Sequence, residues 1–414
     1  RLVIKYYNDI DEVSIHQLLE SSGLKADRIY TSNQLIYLEI PEKQLNHLVG
    51  LPWIAYIACE SAPGEPEDRE GRALHRVNNL VNNKIENIHL TGEGIKVMVR
   101  DDGSVGPHID FTGRIHQDIA LEIGDHGDGV SGIFAGAGNQ DPIVEGMAPG
   151  AELYVINYQA DFLDKTLSYH QNEGVMITNS SYSNGCNAGY TIETQVVDKM
   201  SFENPNLLHV FSAGNSNGAD CGYGAGNQWG NVTGGHKIAK NVLTVANLRL
   251  DGTLEESSSR GPAKDGRMKP EISARGTNEL STAPGNGTLV FGGTSAAAPG
   301  VAGVCALLYE AYKNKYNQNP ESALIKAAVM NTATDIGAPG PDYQFGCGVI
   351  DGYRAYKLIQ DERFQKLTIN QGDLKEFTVK IPAGLPLVKW MIYWPEMESA
   401  LMAPKALIND LDFE

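Results

Sequence analysis

With 414 residues, 42% of them hydrophobic and 20% charged, the chain is too long for one ordinary domain and too apolar to be disordered. A formal net charge of −18 argues against a nucleic-acid partner, which needs a basic face, and fits an exported protein. No apolar run approaches the ~18 residues of a membrane span, and five cysteines, none in a metal-type pair, are too few for a disulfide scaffold.

Residues 1–60 alternate strand, helix, strand, strand, helix, strand. Arg1 leads directly into the strand pattern Leu2–Tyr7, so any signal peptide is expected to have been removed or left out. Asp11–Ser22 places Val13, Ile15, Leu18 and Leu19 at helical spacing, with Gly23 as the stop. Asp27–Ile40 has β-type composition broken at Thr31-Ser32-Asn33. Pro41 opens a second helix through Leu48, and Trp53–Cys59 returns as a strand. By itself this is a small α+β module of no evident chemistry. Ser61–Gly71 is rich in Pro, Gly and acid without periodicity and reads as an exposed linker, and Arg72–Asn83 is polar and compatible with helix.

Gly94–Gly103 reads as a buried parallel strand running into a turn. Active-site groups of open α/β sheets gather at such carboxyl ends, which marks Asp101 and Asp102, although Asp-Asp-Gly alone is only a tight turn. Asp125–Gly132 follows with glycines at a helix start, and of the ten histidines only His126 stands in such a frame. Val175–Ser183 has a strand pattern, and His209–Ser216 another that runs into Ala213-Gly214-Asn215. Phe291–Gly303 is a Gly-rich turn opening a buried helix, with Ser295 at or near its first position. Pro299, four residues on, cannot donate back to the carbonyl of Ser295. A local rule broken beside a reactive side chain marks a functional site, and the free N–H groups of a helix start favour a negative oxygen.

These four motifs, in the order Asp, His, Asn, Ser, resemble those of the subtilisin-like serine proteases. Gly293-Thr294-Ser295-Ala296-Ala297-Ala298-Pro299 fills every fixed position of the family's serine motif. The resemblance covers about Asn83–Ile359 and implies an α/β, three-layer domain with a parallel central sheet over residues 83–361. It implies Ser295 as nucleophile, His126 as general base and then acid, and Asp101 as the orienting carboxylate. Asn215 and the Ser295 N–H are the implied oxyanion donors. Asn179, Ser181, Tyr182 and Ser183 would belong to the strand that pairs with an extended substrate, Tyr182-Ser183 replacing a commoner Leu-Gly. Ser212, Ala213 and Gly214 would line the pocket for the residue before the scissile bond. Arg100, Ser104 and Arg275 depart from the pattern, and a charge such as Arg100 on a buried strand needs a partner.

Residues 1–62, placed before such a domain, resemble the family's propeptide, a folding template and inhibitor, with 63–82 as linker and a processing bond at or soon after Ala62. Cys186 and Cys221 lie in Gly-rich loops after neighbouring strands at the same end of the sheet and are expected to be bonded. Cys305, in an apolar helix, is expected to be an inert thiol. The implied partners are protein or peptide substrates and the chain's own propeptide. No cofactor is required; calcium stabilises many relatives, but no loop here is specific enough to name metal ligands.

From Gln365 the pattern changes, with Lys366–Ile369, Glu376–Ile381 and Val388–Tyr393 reading as strands. Leu407–Phe413 resembles the opening of the β-sandwich behind some secreted subtilases. Residues 365–414 are therefore expected to begin an incomplete sandwich, and the chain to be a fragment of a longer protein. The implied function is a secreted serine endopeptidase acting through an acyl-enzyme, with its propeptide attached as in a zymogen. Two rivals stay open: a peptide transferase or cyclase using the same acyl-enzyme, and a catalytically silent binding protein, which the intact four-part site argues against.

Overall fold

The structure, a computed structural model, describes residues 1–60, 70–82, 85–117, 124–158, 162–381, 383–385 and 387–413. The chain forms two compact units, Arg1–Glu67 and Asp68–Glu414. The bond expected to be processed, together with Ser61, Ala62 and most of the linker, lies outside the described residues.

In the first unit β1 (Leu2–Tyr6), α1 (Glu12–Ser21), β2 (Arg28–Tyr30), β3 (Leu35–Leu38), α2 (Leu45–Val49) and β4 (Ile54–Cys59) follow the expected alternation. The strands form an antiparallel sheet in the order β2-β3-β1-β4. Asp11 caps α1 by accepting from the Ser14 N–H at 2.7 Å. Its apolar stripe brings Ile15 and Leu19 onto Ile4, Tyr6, Ile36 and Leu38 of the sheet, where Leu48 and Trp53 complete the core. The helix expected from Pro41 divides into a 3₁₀ turn, Glu42–Gln44, and the short α2.

The second unit opens with α3 (Glu70–Leu74) and α4 (Asn78–Val81), then alternates β5 (Lys96–Asp101), β6 (Ile115–Gln117), α5 (His126–Ala135), β7 (Glu152–Asn157), α6 (Phe162–Glu173), β8 (Val175–Ser180), α7 (Ile192–Glu203), β9 (Leu208–Ser212), β10 (Leu243–Leu248) and β11 (Ile272–Arg275). These seven strands make one parallel sheet in the order β11-β10-β9-β8-β5-β7-β6. The chain fills one side of β5 with β6 and β7 and the other with β8 onward, so the strand order reverses there, where ligand crevices form. The hairpin β12 (Glu279–Ala283) and β13 (Gly287–Phe291) leads into the 23-residue α8 (Thr294–Tyr316), followed by α9 (Ser322–Thr332) and α10 (Gly352–Gln360).

Side-chain alternation along β5 explains the layers. Val97 and Val99 face the large core with α5 and α8, whereas Met98 faces a second cluster with Tyr154, Ile156 and Val175. The first half of α8 is buried all round, which its alanines and glycines permit by letting the sheet and α5 approach closely. Gly132 of α5 shows how tight this is, since a Cβ there would collide with Ser281 of β12.

The strands expected at 366–369, 376–381 and 388–393 do not form, and among the described residues none after Gln360 belongs to a helix or strand. Leu367, Ile369, Phe377, Val379 and Ile381 alternate as a strand would, but they are exposed and no neighbouring strand completes a ladder. The sandwich reading of 365–414 is corrected accordingly. Residues 396–409 are instead held against Lys240 and Asn241. Lys240 Nζ donates to Glu396 Oε2 at 2.9 Å, and Asn241 exchanges bonds with the Glu396 backbone at 2.7 and 3.1 Å. No helix among the described residues is long and apolar enough to cross a membrane.

Candidate active site

Asp101 is the last residue of β5, fully buried at the carboxyl edge of the sheet. Its Oδ1 accepts from His126 Nδ1 at 2.5 Å and from the Asp102 N–H at 3.0 Å. The Nδ1 proton is thereby fixed on the Asp101 side, which leaves Nε2 as the basic nitrogen on the partly exposed edge of the ring. Burial by itself would lower the His126 pKa, but the bond to Asp101 and the charges of Asp101, Asp102 and Asp125 outweigh it and raise it. Burial raises Asp101 against the pull of its bond to His126.

Asp102 has a separate task that the sequence reading missed. Its Oδ1 accepts from the Gly127 N–H at 2.9 Å, so it satisfies an orphan donor in the first turn of α5 and holds the start of the helix that carries His126. The signal was present in the acid pair, but the partner N–H lies 25 residues away.

Ser295 sits in the first turn of α8, and Pro299 lies inside the same helix. The Ser295 carbonyl that Pro299 cannot serve accepts instead from Ser181 Oγ at 3.1 Å, itself bonded by Asn179 Nδ2 at 2.9 Å. Ser295 Oγ donates to the Ser181 carbonyl at 3.0 Å, so meeting a base requires a change of its χ1 rotamer. The base is close by: α5 packs on α8, and the His126 ring meets edge-on that of Phe291, four residues before the serine, with centroids 5.1 Å apart.

On the far side of the serine turn, Asn215 Oδ1 accepts from both the Thr294 N–H and the Thr294 hydroxyl at 3.0 Å. This fixes the amide so that Nδ2 is left as a donor, beside Gly293 at the mouth of α8. Thr294 is the second residue missed as a site member. Its hydroxyl also accepts from the Gly214 N–H at 3.1 Å, locking the Ala213-Gly214-Asn215 turn onto the serine turn.

Ser212 and Ala213 are buried at the end of β9, and Ala213 is held by bonds to Val245 and Thr233. Tyr182 lies between the rings of Tyr158 and His236, at 4.8 and 5.5 Å, and burial pushes its hydroxyl up to about 12. Ser183 is exposed. Cys186 and Cys221 are bonded, with Cα atoms 5.3 Å apart. Cys305 is buried, and burial raises its thiol pKa. Arg100 finds hydroxyl partners: Ser180 at 2.8 Å, Thr166 at 2.9 Å and Thr178 at 3.4 Å. Among the described residues no group of three or more His, Cys, Asp or Glu could hold a metal ion.

This geometry supplies a carboxylate–imidazole pair from β5 and α5, a serine at the start of the helix packed against α5, and an amide donor fixed on the serine turn. The model of the subtilase family matches residues 92–348. The chain belongs to that family, the subtilisin-like serine proteases. It is 27% identical over 366 residues to alkaline elastase YaB of Bacillus sp. (strain YaB), covering 84% of this chain and 86% of the relative. Subtilisin Savinase of Lederbergia lenta is 27% identical over 278 residues, covering 64% of this chain and 92% of the relative. Among solved structures, the prenylagaramide maturation protease PagA superposes with a TM-score of 0.53 at 25% identity, covering 64% of this chain and 94% of that one.

Proposed function

We propose that the chain is an exported serine endopeptidase that hydrolyses peptide bonds through an acyl-enzyme. Ser295 Oγ attacks the peptide carbonyl while its proton passes to His126 Nε2. Asp101 holds the imidazole in the required tautomer and stabilises its charged form. The carbonyl oxygen, now negative, sits between Asn215 Nδ2 and the Ser295 N–H. His126 then protonates the leaving amine, and water releases the acyl group by the reverse sequence. No step needs a cofactor. The observation that carries this reading is the 2.5 Å Asp101–His126 bond on a helix packed against the one that bears Ser295.

Residues 1–62 act as the propeptide in this proposal, with the processing bond at or soon after Ala62. The chain should label with a fluorophosphonate, and Ser295→Ala should lose both labelling and peptide hydrolysis. Hydrolysis surviving in that variant would overturn the assignment, and an active species that keeps Leu2–Cys59 attached would overturn the propeptide role. The likeness to a maturation protease is compatible with a second reading, a peptide transferase or cyclase that passes the same acyl group to an amine. Product masses in the presence of a free amine separate transfer from hydrolysis.

A further inference from the structure

A fully buried cation lies directly behind the turn that carries Asn215. Lys237, in the 3₁₀ turn Gly235–Ile238, has no exposed surface. Its Nζ reaches only hydroxyls among the described residues: Thr233 Oγ1 at 3.0 Å, Ser183 Oγ at 3.3 Å and Ser212 Oγ at 3.4 Å. No carboxylate pairs with it there, in a chain whose net charge is −18. A buried ammonium without counter-charge is costly, and burial alone pulls its pKa down to about 7.

Of the three, Ser183 is exposed, whereas Ser212 and Thr233 are buried. Ser212 and Gly214 flank Ala213 on the turn locked to the serine through Thr294. Gly214 has φ 111° and no side chain, and a Cβ there would collide with Thr233 Oγ1. The absence of that Cβ lets Thr233 pack directly against the Ala213-Gly214-Asn215 turn. Ser183 is exposed, two residues from the Ser181 carbonyl that holds Ser295 Oγ. Its hydroxyl is 2.6 Å from that of Thr233 and 3.3 Å from the ammonium. The exposed Ser183 thus links the surface to the buried ammonium through a single hydroxyl.

We propose that Lys237, acting through the hydroxyls of Ser183, Ser212 and Thr233, makes the pocket beside Ser295 select an acidic side chain, glutamate or aspartate, in the residue before the scissile bond. The inference rests on the peptidase reading above. A substrate carboxylate would accept from the hydroxyls, which turn their protons outward, and would supply the missing counter-charge. Specificity then arises because a neutral isostere leaves the ammonium unsatisfied, while a cationic residue is repelled.

The test is a series of fluorogenic peptides that differ only in that residue, Glu, Gln, Leu or Lys, cleaved by the purified full chain. Glu should exceed its neutral isostere Gln in kcat/KM by at least about tenfold, as close charge pairs across an interface do, and Lys should be the poorest. In Lys237→Met the Glu-to-Gln ratio should fall to near one. The wild-type ratio needs no variant, so a failure of Lys237→Met to fold does not shelter the proposal. A wild-type enzyme that labels with fluorophosphonate but cleaves Glu and Gln peptides equally, or a Glu preference that persists in Lys237→Met, overturns the pocket assignment alone. A wild-type chain that neither labels nor cleaves any peptide overturns the peptidase reading and this inference with it.

Discussion

Asp101, at the end of β5, and Lys237, in the turn Gly235–Ile238, are both fully buried. Asp101 has a partner that exchanges a proton: its Oδ1 holds His126 Nδ1 at 2.5 Å, and the His126 pKa rises as a result. Lys237 has three hydroxyls and, among the described residues, nothing that carries charge, and its pKa falls to about 7. The contrast separates two uses of a buried charge. Beside a titratable partner it sets the basicity of that partner. Held by hydroxyls alone it disfavours its own charged state until an ion of the opposite sign arrives.

The comparison breaks most completely at Ser295, the proposed nucleophile. Ser295→Ala should lower turnover by about 10⁶, the size of the effect in subtilisin, while leaving both charges in place. Turnover within tenfold of wild type would show that the crevice does different chemistry. On the anionic side, Asp101→Asn should reduce turnover by about 10⁴, because the amide presents the wrong hydrogen-bonding face to Nδ1. Asp102→Asn should be far milder in turnover, since its Oδ1 serves the Gly127 N–H, a bond that an amide oxygen preserves. Reversed effects would mean that the carboxylates have exchanged roles. Asn215→Leu should reduce turnover by about 10²–10³, again the size found for a subtilisin side-chain donor. A loss confined to KM would remove Asn215 from the oxyanion site.

What the sequence made legible was local. The β5 run ends at Asp101, glycines bracket His126, and Gly293–Pro299 forms a turn and helix start, so each could be read within a dozen residues. The hydrogen bonds between them could not be read, because they close over long separations. The carbonyl orphaned by Pro299 is met by Ser181, 114 residues earlier, and Lys237 reaches Ser183 across 54 residues. Nothing in Gly234-Gly235-His236-Lys237 distinguishes a buried lysine from a solvated one. The tail failed for a related reason. Alternation at 366–381 stated which faces a strand would have, but a strand also needs a neighbour, and the chain there has none among the described residues. Its later part is held by Lys240 and Asn241, whose partners in Glu396 lie about 155 residues on.

The His126 half of the comparison sharpens with pH. Proton abstraction needs the neutral ring, and the folded pKa is raised above the ordinary imidazole value by the bond to Asp101 and the nearby carboxylates, against burial. The rate constant kcat/KM should therefore fall as pH drops through a value higher than that of a free imidazole. Asp101→Asn removes a bond and a charge that favour the imidazolium and leaves the burial that opposes it. The acid limb of its residual activity should move to lower pH. An unmoved limb would assign the titration to another group.

The smallest effect is on stability, and it belongs to Lys237. Unfolded, a lysine titrates near ~10.4; folded, this one titrates at about 7. Between those values the unfolded chain binds more protons than the folded one, so the Lys237 contribution to stability improves as pH rises through that window. Below about 7 both states are charged and the full penalty of burying the ammonium is present. Its neighbour His236 is pulled far below 6.5, first by burial and then by Lys237, Arg100 and His209, so it stays neutral in the fold, and the proton it gains on unfolding is common to both proteins and drops out of their difference. Lys237→Met removes the penalty, while Ser183 and Thr233 keep the 2.6 Å bond to each other. With Ser295→Ala in both proteins to prevent self-digestion, urea midpoints at pH 6 and pH 9 should show the Met variant ahead at the lower pH and its lead shrinking at the higher. A peptide ending in glutamate should raise the wild-type midpoint at pH 6 and leave the Met variant unmoved. Equal midpoints at both pH values would mean that the ammonium already has a counter-charge, and the two buried charges would then be alike.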